Sequence, residues 1–537
     1  MTSPAEMLRH GSSEEVWQRY MGFLDLTLDE FMSIQRRRIL EHVAWLSDSE
    51  LGRKIIGPTV PTSVEEFRER VPLTTYADYA PYLLERKSDA LPGEPFAWMR
   101  TSGRSGEYSV KWAPIFRDAW EEVVRPNSVA ILLMASSKQR GEVNVEIGDV
   151  MPFTWAPTPF GLGYMALAIT EELPLVVIPS LEAGGTMSFD ERIGAALTLG
   201  FRLGIDHFFG LASVLVKIGE RFSEGSSARR GFSKDMLHPK VLWRLIRAKL
   251  RARAAGRPMY PKDLWDVKGV SAGGSDTSIF AARIEKYWGV KPLEMYGTSE
   301  FAMAAIQAWD REGMTPLPDM VFFEFIPLEE SRRSRSEPNY VPKTLLLNEV
   351  QAGETYEIVL SSFRFTPFTR YRVGDLVRVS ALRNEQCNID LPQLVFEGRC
   401  DDVIDLAGFT RLTERTIWYA IENTGIPYEE WICRKEYEGD SPVLHVWIEP
   451  KNGAPDAADA LEALRQCLRE QDSDYRDLEA MLGYNPLRLE YLSPGTFFRF
   501  MLDRQSAGVE PAHFKPRHFV HGEETLQLVL SMHEKGR

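Results

Sequence analysis

"LEMYGTSE", residues 293–300, sets an aromatic ring, a glycine, two hydroxyls and a carboxylate directly behind a short apolar run. It follows "DVKGVSAGG" (266–274), which reads as a strand, and then a helical pattern. Such a position, beyond the carboxyl end of a strand, is where α/β sheets place ligands. There Tyr296 can stack on a base, Thr298 and Ser299 can donate to a phosphate, and Glu300 can hold Mg²⁺, which prefers oxygen ligands and keeps part of its water shell. The same residues are equally consistent with a capped helix start that carries Glu300 in its first turn.

Working outward, "SVAILLMASS" (128–137) and "LPLVVIPSL" (173–181) are β-branched apolar runs that read as strands. They alternate with longer helical patterns such as "FDERIGAALTLGFRLG" (189–204), which implies α/β layering with substantially parallel strands. Nearer the N-terminus, Ser12 with Glu15 and Ser63 with Glu66 fit capping boxes, so the first quarter reads helical. From "MVFFEFIPL" (320–328) through "TYEIVLSS" (355–362) to "RYRVGDLVRVS" (370–380) the pattern turns to strands, as in antiparallel pairs or a small barrel. "SEGSSARRG" (223–231) and "EESRRSRSEPNYVP" (329–342) read as surface loops. A boundary is expected near Arg399, dividing residues 1–398 from a compact second domain, 399–537, of helix, hairpin and long helical stretch.

At 537 residues the chain is long enough for at least two domains, and 44% apolar with 26% charged residues is ordinary for a globular protein. A net charge of −14 argues against nucleic acid as the main partner, since that binding rests on many Lys and Arg contacts. One stretch, residues 229–257, is locally basic; its Trp243, Ile246 and Leu250 fall at helical spacing among Arg and Lys, the pattern of a surface helix with a solvated basic face. The four cysteines, Cys387, Cys400, Cys433 and Cys467, lack the spacing of a zinc site. The first residues have no apolar signal region and no run is long enough to span a bilayer, so a cytoplasmic monomer without a membrane partner is the expectation.

Three further stretches carry chemistry. "TSGRSGEYSVK" (101–111) is a Thr/Ser/Gly loop whose backbone N–H groups could converge on an anion, although the pattern of a Walker A loop is absent and a plain turn has the same composition. In "RYRVGDLV" (370–377), Asp375 follows a glycine at a strand turn, where a carboxylate can accept two hydrogen bonds from a ribose diol or simply close a hairpin. "EGRCDDVIDLAGF" (397–409) gathers Arg399, Asp401 and Asp402 at the expected junction, as charged linkers also do.

Taken in order, these pieces resemble the adenylate-forming superfamily of acyl-CoA synthetases, adenylation domains and luciferases. More narrowly the chain is similar to the Gretchen Hagen family of acyl acid-amido synthetases, best known for conjugating plant hormones to amino acids. The narrower likeness rests on "VPLTTYADYAPYL" (71–83), "YGTSE", "MVFFEFIPL", "GETYEIVLSS", "RYRVGDLV" and the terminal "PLRLEYLSPGTFFRFMLDRQSAGVEPAHFKPRHFV". The resemblance implies a large N-terminal domain of two α/β subdomains and a β-barrel, with a small α/β C-terminal lid. It implies ATP and Mg²⁺ as cofactors and a small carboxylic acid as substrate. Attack of the carboxylate on the α-phosphate would form an acyl-adenylate and pyrophosphate, and an amine or amino acid would then displace AMP. By the same carry-over Thr101, Ser102, Gly103, Arg104, Ser105 and Gly106 form the phosphate loop, and Gly273 and Gly274 in "SAGGS" border the adenine that Tyr296 faces. Gly297 and Thr298 complete that turn, Ser299 reaches the α-phosphate, Glu300 holds the metal, Asp375 binds the ribose with Arg399 close by, and Lys515 in "HFKPRHF" neutralises the α-phosphate.

The likeness is poorest in the loop. Family members carry Thr or Ser where Arg104 stands and a Pro-Lys pair where this chain has Ser109 and Val110, with Lys111 displaced by one. Arg104 either meets the β- and γ-phosphates itself or marks a degraded loop, which would leave an acid-binding module without activity. The tail resembles the amido synthetases rather than acyl-CoA ligases, so an amine acceptor is favoured over CoA or a carrier protein.

Overall fold

The computed structural model describes residues 4–101, 108, 110–223, 238–273, 277–337, 339–400, 403–406, 410–438, 441–472, 475–476, 485–506, 517–520 and 522–536. The chain divides into two compact units, one of Met1–Val373 with Val377–Phe396 and one of Gly374–Leu376 with Glu397–Arg537. Among the described residues no helix is long and apolar enough to cross a membrane.

The larger unit opens with capped helices. Ser12 and Glu15 exchange bonds in a full capping box ahead of Ser13–Met21, and Thr27 with Glu30 does the same for the 20-residue helix Leu28–Ser47. At the second expected box the exchange is split: Ser63 accepts from the Glu66 N–H at 3.1 Å, but the Glu66 carboxylate accepts from Thr62 N at 2.8 Å. Gln35 fastens the long helix to the sheet below, donating to Pro318 O at 2.6 Å and Val321 O at 2.8 Å while accepting from Phe323 N at 3.1 Å.

Strands β1 (Ala97–Thr101) and β2 (Lys111–Ile115) form an antiparallel hairpin in which Thr101 faces Lys111. Strands β3 (Val150–Pro152) and β4 (Val176–Ile178) make a short parallel pair. The remainder builds one nine-stranded sheet: β5 (His207–Leu211), β6 (Gly269–Gly273), β7 (Leu293–Tyr296), β8 (Ala305–Gln307), β9 (Met314–Pro316), β10 (Val321–Pro327), β11 (Thr355–Ser362), β12 (Tyr371–Ala381) and β13 (Gln393–Arg399). Its order is β10-β11-β12-β13-β9-β8-β7-β6-β5. β5, β6 and β7 are parallel, and from the β7–β8 pair onward the assigned pairings, β8–β9, β9–β13 and β10–β11, are antiparallel.

Three expectations change. The strands read as a small barrel are one arm of this open sheet, and no assigned pairing among the described residues closes them into a barrel. "SVAILLMASS" lies in a helix, Arg125–Ser136, every residue of which from Asn127 onward is buried; a helix covered on all sides has no polar face and so loses the 3.6-residue signal. "EESRRSRS" is helical too (Leu328–Ser336), because Ser331 donates to the buried Glu357 carboxylate and the Arg333–Glu337 pair, four residues apart, braces its end.

A buried ion pair ties "VPLTTY" to this sheet. Arg370 reaches Glu324 of β10 through Nε at 3.0 Å and Nη2 at 2.8 Å, and donates from Nη1 to Arg68 O at 2.7 Å and Val71 O at 2.6 Å. Thr74 N–H then donates to Arg370 O at 2.9 Å, and Arg372 N–H to Thr74 O at 2.8 Å. Truncating one member of such a pair strands a buried charge, so Arg370→Ala is expected to cost about 3–5 kcal/mol in urea unfolding. The double variant Arg370→Leu/Glu324→Leu should recover only part of that, because the Arg68 and Val71 carbonyls still lose their donor.

The smaller unit pairs β14 (Val403–Leu406) with β15 (Thr410–Thr413), and stacks β16 (Tyr428–Glu438), β17 (Ser441–Pro450) and β18 (Leu487–Tyr491) in one sheet. β16 and β17 are antiparallel and β17 and β18 parallel, with the helices Glu414–Asn423, Ala457–Gln471, Thr496–Ser506 and Glu523–Glu534 around them.

Candidate functional site

The "YGTSE" stretch occupies the turn from β7, the last parallel strand, into β8, the first antiparallel one. No helix starts here. Phe301 N–H donates to Thr298 O at 3.2 Å and Ala304 N–H to Tyr296 O at 2.8 Å, and Ala302 takes φ 58° to close the turn. The capped-helix alternative is thereby removed. Gly297 is required by crowding: a Cβ there would lie 2.1 Å from Ala302 O.

Each side chain of the turn has a distinct setting. Tyr296 is buried, its ring stacked on Phe396 at 6.1 Å between centroids. Thr298 Oγ1 is enclosed yet has no hydrogen-bond partner among the described residues, a costly state for a hydroxyl and one that a ligand oxygen would relieve. Ser299 Oγ lies against Gly161, where an added Cβ would come within 3.2 Å of it. Gly161 is the first residue of the helix Gly161–Glu172, whose N-cap Phe160 supplies no side-chain acceptor. An uncapped helix N-terminus beside a serine and an unsatisfied threonine hydroxyl is a set of donors for an anion.

Glu300 approaches the base of the β1–β2 loop through Tyr76. Burial pushes the Tyr76 phenol up to about 12, and the Glu300 charge adds to the shift. The phenol oxygen accepts from Trp112 N–H at 2.8 Å and donates to Trp112 O at 3.1 Å, so it stays neutral and fixes the start of β2. Lys111, buried at the same place, holds its Nζ 5.1 Å from the Tyr76 ring centroid. Sequence reading missed Tyr76 and noted Lys111 only as the lysine displaced by one from the family's Pro-Lys pair; its place at the start of the strand that closes the loop was the available signal. Among the described residues no three His, Cys, Asp or Glu side chains cluster to cage a metal. A lone carboxylate such as Glu300 suits Mg²⁺, which takes its other ligands from phosphates and water.

Thr101 ends β1 and Gly273 ends β6, opposite Leu211 of β5. Ser102, Gly103, Arg104, Ser105, Gly106, Gly274, Asp401, Asp402 and Lys515 lie outside the described residues.

In the smaller unit Arg399 Nη1 meets Asp375 Oδ1 at 2.8 Å. Asp375 is not at a hairpin turn, as the sequence suggested, but inside the 11-residue β12. The glycine before it matters in a different way. Gly374 takes φ 81°, and a Cβ there would sit 3.1 Å from Arg399 Nη2, so the pair needs the bare backbone.

His518, three residues after Lys515, carried no sequence signal. Its ring stacks on Trp431 at 4.0 Å between centroids, with Nδ1 2.5 Å from Glu414 and Nε2 2.9 Å from Glu430. Cys433 N–H donates to His518 O at 2.6 Å and Val520 N–H to Cys433 O at 2.9 Å, which pins this segment to β16. Burial disfavours the imidazolium, but the two carboxylates outweigh it and raise His518 to about 9. A folded-state pKa above the unfolded value of roughly 6.5 adds stability that is complete below that pH. The stability of the smaller unit should therefore fall as pH rises through about 9, and His518→Gln should flatten that alkaline slope in urea titrations.

Sequence profiles described as the GH3 family N-terminal domain and the GH3 family central domain match residues 21–159 and 314–399. A GH3 domain-containing protein of Mus musculus is 25% identical over 259 residues, 46% of this chain and 46% of that protein. Jasmonoyl–L-amino acid synthetase GH3.5 of Oryza sativa subsp. japonica is 26% identical over 231 residues, 40% of this chain and 38% of that enzyme. The matches thus span under half the length of these curated relatives. Among solved structures, the AtGH3.15 acyl acid amido synthetase in complex with 2,4-DB superposes with a TM-score of 0.67 at 18% identity, covering 97% of this chain and 96% of that one. A 2-hydroxyisobutyryl-CoA ligase in its postadenylation state gives 0.63 at 17% identity, over 97% and 94%. The chain shares their mixed α/β fold.

Proposed function

We infer that this chain, a member of the GH3 (Gretchen Hagen) family, joins a small carboxylic acid to an amine or amino acid in two ATP-dependent steps. The observation that carries the reading is the turn after β7, where the Thr298 hydroxyl, unpartnered among the described residues, and Ser299 adjoin the helix start at Gly161, which has no side-chain cap among them. In the first step a carboxylate oxygen of the acid bonds to the α-phosphorus of ATP and the bond to pyrophosphate breaks. In the second the amine nitrogen bonds to the acyl carbon, AMP leaves, and the ammonium proton passes to solvent.

The protein needs no covalent role in either step, so positioning and charge neutralisation account for its contribution. Ser299 and the helix N-terminus are assigned to the anion that reacts, Thr298 and the Tyr296 face to the nucleotide, and Asp375, oriented by Arg399, to the ribose. Thr101, Ser102, Gly103, Ser105 and Gly106 supply the loop for the β- and γ-phosphates with Arg104 as its cation, and Gly273 and Gly274 border the base. Mg²⁺, held by Glu300, would neutralise phosphate charge. Lys515 belongs to the adenylation step, and residues 399–537 act as the lid that brings it there.

ATP–pyrophosphate exchange across a panel of carboxylic acids, followed by mass spectrometry with amino acids, amines or CoA as acceptor, tests the reading. The expected product is an amide. A thioester as the sole product would reassign the protein to the acyl-CoA ligases, and absence of both exchange and nucleotide binding would leave only an acid-binding module. Gly161→Ala, which places a methyl 3.2 Å from Ser299 Oγ and 3.4 Å from Met99 Sδ, should lower exchange about tenfold by displacing that hydroxyl. Its melting temperature should be unchanged.

A further inference from the structure

The helix Pro239–Ala254 is turned inside out relative to an ordinary surface helix. Its buried residues are the small Val241, Ala248 and Ala252. Four of its five large apolar residues face away from the protein, Leu245 being the half-buried exception: Trp243 is 61% exposed, Ile246 58%, Leu250 63% and Leu242 43%. At 100° per residue these four fall within one stripe on the side opposite Val241 and Ala252. A surface helix normally buries that stripe, and an exposed cluster of this kind marks an interaction site.

The charge around the stripe is of one sign. The helix holds Lys240, Arg244, Arg247, Lys249, Arg251 and Arg253 and no acidic residue, in a chain whose net charge is −14. Part of that set is committed to the protein's own body. Arg244 donates to Phe201 O at 2.9 Å and Leu203 O at 3.2 Å, and Arg247 and Arg251 reach Asp266 at 3.3 and 3.1 Å. Arg247 also lies 5.2 Å from the centre of the Trp243 ring. Lys249 and Arg253, which flank the stripe, are exposed, and no ion pair is recorded for them among the described residues.

We propose that the Trp243/Ile246/Leu250 face docks on an anionic lipid bilayer surface, the helix lying in the plane of the headgroups. Charge complementarity selects this occupant. A second copy of the chain would set six cations against six across the stripe, and the adjoining residues 224–237, with Arg229, Arg230 and Lys234 against Glu224 and Asp235, offer no net negative charge. An anionic interface accepts both components: the Trp, Ile and Leu side chains enter the headgroup–acyl boundary while Lys and Arg remain at phosphate level. Because the chain as a whole is acidic, attraction acts only within about one Debye length, roughly 8 Å at physiological salt, so the docking is oriented, reversible and salt-sensitive. The proposal does not rest on the catalytic reading, since none of these residues is assigned to the reaction.

The test is co-sedimentation of the full-length protein with vesicles of phosphatidylcholine alone or phosphatidylcholine mixed with phosphatidylglycerol. Expected is binding to the mixed vesicles at low salt, weakening at least tenfold in high salt and negligible on phosphatidylcholine alone. Trp243→Ser/Ile246→Ser/Leu250→Ser should lower the bound fraction at least tenfold, and Lys249→Glu/Arg253→Glu should do so to a similar extent. Both variants change only solvent-facing side chains and should keep the wild-type melting temperature and pyrophosphate exchange. Failure of the wild type to bind anionic vesicles, or equal binding by the triple-serine variant, overturns the proposal. So does a wild-type dimer in sedimentation velocity that the triple-serine variant loses, which would give the face to a second copy. Retained docking on an acidic protein with no vesicle binding likewise refutes the lipid assignment.

Discussion

The bidentate contact between Arg370 and Glu324 is the constraint from which the larger unit is organised. One guanidinium serves a carboxylate on β10 and two carbonyls of residues 68–71, and Arg370, Glu324 and Val71 are all buried. Such a charge persists in the interior only when every donor is used, so the pair fixes three pieces of chain at once. It holds Arg370 at φ 46°, a conformation an arginine rarely adopts, immediately before Tyr371 begins β12. β12 in turn carries Asp375.

A second constraint lies in the sheet. Parallel strands require long crossovers and antiparallel strands can be joined by turns, so the β7–β8 junction is where helix-covered layering ends and hairpin geometry begins. The tight turn there is possible because Gly297 admits the Ala302 carbonyl. It places a contiguous, half-buried Thr298-Ser299-Glu300 set at a strand end, against a helix start from the preceding layer. Within this unit the turn assigned to the proposed reaction and the face assigned to the proposed lipid contact are built from different elements. The first is an enclosed turn with an unsatisfied hydroxyl and the second an exposed helix face whose charge is unbalanced.

What could be read from sequence follows the range of the interaction behind each feature. The Ser12–Glu15 box was legible because both partners sit three residues apart. The Ser63–Glu66 box was half legible, since Thr62, a neighbouring donor of equal quality, captures the carboxylate. "SVAILLMASS" misled because periodicity reports contrast between faces, and a helix buried on every side has none. "EESRRSRS" misled for the opposite reason: its polarity suits a loop, yet Glu357, 26 residues beyond Ser331, supplies the buried partner that fastens it as a helix. His518 was invisible, as its carboxylates lie 104 and 88 residues away.

The sequence by itself determined the α/β class, the order of the nucleotide-type motifs and their resemblance to a known family, because glycines, hydroxyls and carboxylates at fixed local spacing are a one-dimensional signal. Only the tertiary structure decided that "YGTSE" is a turn rather than a helix cap, that Asp375 lies inside a strand beside Arg399, and that Tyr76 and Lys111 stand at the loop base. It also decided which side of the helix Pro239–Ala254 meets solvent. The amphipathic pattern names two faces of a helix, but packing against the rest of the protein chooses between them. Here the body offers room for Ala248 and Ala252 and leaves Trp243, Ile246 and Leu250 outside.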